Sequence, residues 1–295
     1  MNRNNRHKSG YDFDILTKAD PRLTPYVKTK DDGKKTIDFA DPNAVKALNT
    51  ALLLVHYKIK YWHFSDEFLC PAVPGRVDYL HYLDDLFQKN KIENPSILDI
   101  GTGASLIYPL LGNAVFQWKF VASDIHQKSL EQAQKIIRVN RLEKKIVLRH
   151  QQNKASIFKG IIKPNDRFAA SICNPPFYGS LEEANKATLK KISGLKKKTA
   201  SIEATSDKIP KINRNFSGKE HELWYPGGEK AFVHNYLYES SFYKEQIQWF
   251  SILVSNKKNI KSMQQSLEKL KATSIQNIPM QHGNKITRII AWTFQ

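Results

Sequence analysis

The sequence predicts an α/β fold: a mostly parallel, seven-stranded sheet covered by helices on both faces. Three observations carry that reading. From Pro95 onward, short apolar runs alternate with helical patterns, the arrangement that parallel sheets require. The first run, Ser96–Ile100, leads into Gly101-Thr102-Gly103, a glycine turn into a helix. A later run, Phe168–Cys173, stops at Asn174-Pro175-Pro176-Phe177, whose prolines cannot extend a strand.

Residues 1–94 precede this pattern and read as a basic arm followed by a helical cap. Residues 1–38 are polar with little periodicity, so an irregular arm is expected, offering Arg3, Arg6 and Lys8 to phosphates. Asp41-Pro42 opens a helix, with Asp41 as N-cap and Pro42 at the first helical position. Its apolar face is Val45, Leu48, Leu52 and Val55. A second helix over Arg76–Gln88 carries Val77, Leu80, Leu83 and Phe87 at the same period.

Residues 95–295 form the core. After Ser96–Ile100 come a strand over Lys119–Ser123 ending at Asp124, a helix over Ser129–Asn140, and strands Lys145–His150 and Phe168–Cys173. Gln248–Ser255 is a fifth strand and Lys258–Leu270 a helix. Ile275–Pro279 and Lys285–Phe294 make a closing hairpin that adds one antiparallel strand. Between the Pro-Pro turn and the fifth strand, about residues 182–217, lies a basic segment that the core does not need. It holds Lys190, Lys191, Lys196, Lys197, Lys198, Lys211 and Arg214, and so long a loop is usually functional or disordered. We read it as a mobile basic insertion suited to gripping phosphates.

Composition narrows the partner. The 295 residues carry a formal charge of +18, with 46 Lys+Arg against 28 Asp+Glu, and 41% are apolar. This is a globular chain with a surface suited to a polyanion, nucleic acid before an anionic membrane. No apolar run reaches the ~18–20 residues needed to span a bilayer, and the polar N-terminus has no signal-peptide core. Cys70 and Cys173 lack metal-ligand spacing, so no metal is expected and both are read as reduced thiols.

The candidate chemistry lies at the strand ends. Asp99 is a cofactor-site candidate just before the turn, and Gly101 and Gly103, lacking Cβ atoms, let the backbone pass close to a ligand; no third glycine follows, and Ala104, Ser105 and Leu106 stand there. Asp124 is placed to accept both ribose hydroxyls of an adenosine, and alone it does not separate NAD from S-adenosylmethionine. The strand-end Asn174-Pro175-Pro176-Phe177 does separate them, because it suits holding a planar amino group for methylation. The Asn174 and Pro175 carbonyl oxygens can both accept from one NH2, and Phe177 offers a face to its ring. S-adenosyl-L-methionine is therefore the expected cofactor. Arg76, after Val73-Pro74-Gly75, by itself reads as a surface arginine.

Together with Phe39-Ala40-Asp41-Pro42, Cys70-Pro71-Ala72-Val73-Pro74, Ile107-Tyr108-Pro109-Leu110-Leu111, Gly227-Gly228-Glu229 and Ala291-Trp292-Thr293-Phe294, these residues resemble the methyltransferase-like protein 16 family. Its members are U6 small nuclear RNA N6-adenosine methyltransferases, related to bacterial large-subunit (23S) rRNA adenine-N6 methyltransferases. The resemblance covers nearly the whole chain. It implies a Rossmann-like class I methyltransferase fold and cofactor contacts from Arg76, Gly101, Ser105, Asp124 and Asn174. It implies Phe177 stacking on the target adenine, and a regulatory role for the basic insertion. Where the family usually has glutamate, this chain has Asp124; Tyr178 replaces a commoner phenylalanine, and a family threonine is replaced near Lys154-Ala155.

The expected activity is then N6 methylation of one adenosine of U6 small nuclear RNA by a nuclear monomer. The alternatives are a ribosomal RNA adenine-N6 methyltransferase, a protein glutamine-N5 methyltransferase, and a non-catalytic RNA-binding protein. The glutamine enzymes share an Asn-Pro-Pro turn, but the basic surface and insertion disfavour a peptide substrate. The chain stops after its last predicted strand, so the C-terminal RNA-binding extension of vertebrate members is expected to be missing.

Overall fold

The computed structural model describes residues 1–180, 182–183, 224–282 and 285–295. Seven strands form one sheet: β3 (Ser96–Ile100), β4 (Lys119–Asp124), β5 (Ile146–His150), β6 (Phe168–Cys173), β7 (Ile247–Val254), β8 (Ser274–His282) and β9 (Lys285–Thr293). Their order is β5-β4-β3-β6-β7-β9-β8, parallel except for β9, which runs antiparallel to both of its neighbours. The expected fold and its single antiparallel strand are both present.

Strand order reverses beside β3: β4 follows on one side and β6 is added on the other. At such a switch point the connections leave in opposite directions and open a crevice beyond the carboxyl ends of the strands. The Gly101 turn, Asp124 and Asn174 all lie at those ends.

Alternate residues of each strand feed two core layers. Ile97, Ile172 and Trp249 face α3 (Val73–Lys89), α4 (Ile107–Phe116) and α5 (Gln127–Val139). Leu98, Cys173 and Phe250 face α6 (Gly228–Ser240) and α7 (Asn259–Lys269). All six residues of β6 are buried, as a strand covered on both faces must be. The cap is continuous with the first layer, since Val77, Leu80 and Phe87 of α3 share it with Ile97 and Leu110.

The N-terminal arm departs from expectation. Residues 1–38 are not irregular: they hold two 3₁₀ turns (Arg6–Ser9 and Pro21–Tyr26), α1 (Phe13–Ala19) and a hairpin of β1 (Val27–Thr29) with β2 (Lys35–Ile37). Phe13, Leu16, Leu23 and Ile37 pack on Leu48, Ala51 and Leu52 of α2 (Pro42–Tyr57) as a third core. The arm's polarity conceals this because its asparagines are anchors. Asp78 of α3 is 1% exposed and accepts from Asn2 N (2.7 Å) and Asn5 Nδ2 (2.8 Å). A buried carboxylate without such donors would be costly.

Helix α6 was not anticipated in the sequence, and helix α4 was anticipated only as the helix that the glycine turn enters, without bounds. Helix α4 is buried nearly all round, so it lacks the polar face that a periodic pattern needs. Helix α6 mixes apolar and charged residues around its circumference, and Lys230, Tyr238 and Phe232 interrupt the buried set.

Candidate functional site

Three strand ends enclose one cavity of about 680 Å³, in the range of small-molecule sites. Of the residues singled out in the sequence, Arg76, Gly101, Gly103, Ser105, Asp124, Asn174 and Pro176 line it. Three others lie outside its wall. Asp99 is 1% exposed beneath the turn, Pro175 is buried, and Phe177 is half-buried against the first core layer. Tyr108, Gln151, Trp224, Tyr225 and Phe232 also line the cavity and were missed as site residues. Tyr108 lies within the Ile-Tyr-Pro-Leu-Leu stretch, and Trp224-Tyr225 immediately precedes Pro226-Gly227-Gly228, so motif neighbourhood was the available signal.

The glycine turn owes its shape to backbone freedom. Gly101 has φ 75° and Gly103 φ 66°, left-handed values that a side chain would strain. The N–H groups of Gly101 and Thr102 both donate to Ser123 O at 2.9 Å, tying the turn to β4. A Cβ on Gly101 would meet no atom within 4 Å and would project into open space. A ligand can therefore lie directly on this backbone.

Asp124 is 7% exposed and accepts from Gly103 N (Oδ2, 2.9 Å) and His126 N (Oδ1, 2.8 Å). Burial raises its pKa and those backbone donors oppose the rise. A carboxylate has about four lone-pair sites, so two backbone donors leave capacity for the hydroxyl pair of a ribose.

Asp99 is different. Neither carboxyl oxygen, nor the Thr102 hydroxyl, has a hydrogen-bond partner among the described residues. Burial pushes Asp99 up to about 7; the nearby Asp124 adds to the rise, while Thr102, out of hydrogen-bond geometry, and Arg76 oppose it. Unpartnered polar groups beside a cavity suit a ligand that brings its own donors. Between about pH 4 and 7 the folded protein holds this proton and the unfolded chain does not, so stability contributed here falls as pH rises. Across that window the cofactor-free protein is expected to lose on the order of 4 kcal/mol relative to Asp99→Asn. Urea unfolding of both proteins at pH 5 and pH 8 captures about 3 kcal/mol of it. Parallel pH profiles would mean that Asp99 is ionised in the fold.

Arg76, in the first turn of α3, reaches across the cavity. Its Nη1 donates to Tyr108 OH (3.0 Å) and Asn174 Oδ1 (2.8 Å), and its guanidinium lies 5.5 Å from the Tyr108 ring centroid. It is therefore no isolated surface arginine. Asn174 directly precedes Pro175, which disfavours a helical backbone at Asn174 and keeps the turn extended. Beyond it, Tyr225 N donates to Tyr178 O at 3.0 Å, and Gly228 lies close against Gly179, closing the cavity's other wall.

Among the proposed RNA contacts, Arg3, Arg6 and Lys8 are exposed on the anchored arm. Arg6 also donates to His56 O (3.0 Å) and its guanidinium lies 5.5 Å from the Tyr57 ring centroid, so part of its capacity is used within the protein. Lys190, Lys191, Lys196, Lys197, Lys198, Lys211 and Arg214 lie outside the described residues, as does nearly all of the predicted insertion. Among the described residues no cluster of metal-type ligands occurs, and no helix is long and apolar enough to cross a membrane.

A family model described as RNA methyltransferase matches residues 1–295. Ribosomal RNA large subunit methyltransferase F of Shewanella sp. (strain W3-18-1) is 47% identical over 296 residues, covering 99% of this chain and 82% of the relative. The same-named protein of Flavobacterium johnsoniae is 46% identical, covering 98% and 92%. Among solved structures, the hMettl16 catalytic domain in complex with MAT2A 3′UTR hairpin 1 superposes with TM-score 0.81 at 26% identity, covering 100% of this chain and 96% of that one. The N-terminal domain of human METTL16 in complex with SAH gives 0.78 at 25% identity, with 100% and 99% covered.

Proposed function

The chain belongs to the RNA methyltransferase family matched over its whole length, and on that premise we propose that it methylates N6 of one adenosine in large-subunit ribosomal RNA. Its methyl donor is S-adenosylmethionine, as expected for this fold and family and for a neighbour that holds SAH. Ribosomal RNA replaces the U6 reading as the preferred substrate. Bacterial relatives named for ribosomal RNA are 46–47% identical, against 26% for the RNA-bound human domain.

The observation that carries the reading is the meeting of Gly101, Asp124, Arg76 and Asn174 around one cavity at the switch point. The open backbone at Gly101 and the spare lone pairs of Asp124 fit an adenosine, and the Arg76 guanidinium fits a carboxylate. When bound, the cofactor supplies an electrophilic methyl group on a sulfonium. The chain positions the acceptor: Asn174 Oδ1 and the Pro175 carbonyl take hydrogen bonds from the N6 amino group, favouring its pyramidal form and the positive charge it develops. Phe177 supplies a stacking face. No base is needed, because the proton can leave after transfer. The adenine must be unpaired and extruded to reach this turn, so the substrate is structured RNA with an accessible adenosine.

The test is methyl transfer from labelled S-adenosylmethionine to transcribed large-subunit ribosomal RNA, U6 RNA and a release-factor peptide. Label is expected on the ribosomal RNA as N6-methyladenosine after nuclease digestion. Label on U6 alone, or on the peptide alone, would overturn the substrate assignment. Neutralising the exposed Arg3 and Lys8 is expected to reduce the salt slope of binding by about 2. An unchanged slope would remove the arm from the RNA interface.

A further inference from the structure

Tyr108 is 4% exposed, yet its hydroxyl faces the cavity wall and meets Arg76. It sits near the start of α4, edge-on to Tyr79, with ring centroids 5.5 Å apart and planes at 86°. Tyr79 is one turn beyond Arg76 on α3 and donates to Ser251 Oγ on β7 at 2.9 Å. The Tyr108 ring thus packs on a tyrosine that is itself tied from α3 to the sheet, and its hydroxyl has little freedom to follow Arg76 if the arginine moves.

The hydrogen count on Arg76 then becomes informative. Nη1 carries two hydrogens, and both are used, one on Tyr108 OH and one on Asn174 Oδ1. The other edge, Nη2 with Nε, has no partner among the described residues, and that edge matches a carboxylate in fork geometry. Asn174 has a complementary constraint. Its carboxamide is nearly the same shape when flipped, and a flipped amide would present NH2 to the target amino group. A guanidinium donates and cannot accept, so Arg76 holds Oδ1 in place and leaves its second lone pair for N6.

We propose that Tyr108 is a positioning residue for methyl transfer: by holding Nη1 of Arg76 it sets the Asn174 carboxamide and reserves the guanidinium's other edge for the cofactor carboxylate. Cofactor occupancy and capture of the target base are then coupled through one side chain, and the coupling is reciprocal. The inference rests on the methyltransferase reading of this cavity.

Tyr108→Phe removes one hydroxyl and keeps the ring. With the RNA fragment identified by labelling, kcat is expected to fall about tenfold, with SAH affinity changed less than about threefold. A purely packing role would not split the two in this way. The second readout is coupling. In the wild-type protein, SAH is expected to tighten binding of the adenosine-bearing fragment about fivefold or more, and not binding of the same fragment with an abasic target. Tyr108→Phe should abolish that difference. Arg76→Lys keeps the charge without the fork, and should lose the coupling together with SAH affinity. Wild-type kcat and coupling in Tyr108→Phe, or wild-type coupling in Arg76→Lys, would overturn the proposal. Absence of methyl transfer by the wild-type protein would instead overturn the reading beneath it.

Discussion

Asn174→Ala is expected to reduce kcat for RNA methylation by about a hundred- to a thousandfold, the usual cost of removing a preorganised group aimed at developing charge. The side chain is one of two acceptors assigned to the target amino group, and Arg76 already fixes its orientation at 2.8 Å. The Pro175 carbonyl survives the substitution, so the turn keeps its shape while the charge on N6 loses half of its support. SAH affinity should change less than about tenfold, because the cofactor's ribose and carboxylate contacts are assigned to Asp124 and Arg76. Single-turnover kinetics with calorimetric titration of SAH separates the two effects. Turnover within about threefold of wild type would move the catalytic amide elsewhere.

Asp124→Ala is expected to act on the opposite half of the cavity. Two backbone donors, Gly103 N and His126 N, lose their acceptor at a site where the carboxylate is 7% exposed. Each bond to a charged group is worth about 1.5–3 kcal/mol, and the assigned ribose contacts go with them. SAH affinity should therefore weaken by about a hundredfold or more, along with a lower melting temperature in the cofactor-free protein. Asp124→Glu keeps the charge on an arm one methylene longer and is expected to recover most of the binding. If Asp124→Ala binds SAH with wild-type affinity, the adenosine is held elsewhere.

The two halves of the site differ in how plainly the chain displays them. Glycine at 101 and 103, a carboxylate at the end of the next strand and a proline pair after Cys173 are local statements. Glycine widens the backbone options at a turn and proline narrows them, so strand ends and turn shapes follow from neighbours in the chain. The sheet is legible for the same reason, since the buried strands are short apolar runs between turns. Helix α4 is announced by the glycine turn, but its extent is not legible, because burial nearly all round erases the periodicity that would reveal it.

What the sequence determined by itself is therefore the α/β class, the three strand-end motifs and the basic charge that points to RNA. These depend on backbone stereochemistry and composition. Tertiary structure decided the rest. It turned the polar arm into an ordered module, because Asn2 and Asn5 satisfy a buried Asp78 more than 70 residues away. It left the Asp99 carboxyl under the turn without a hydrogen-bond partner among the described residues, and it brought Tyr108 and Asn174 to the Arg76 guanidinium from separations of 32 and 98 residues. Contacts at that range follow from how helices seat on the sheet, which no local pattern of residue types encodes.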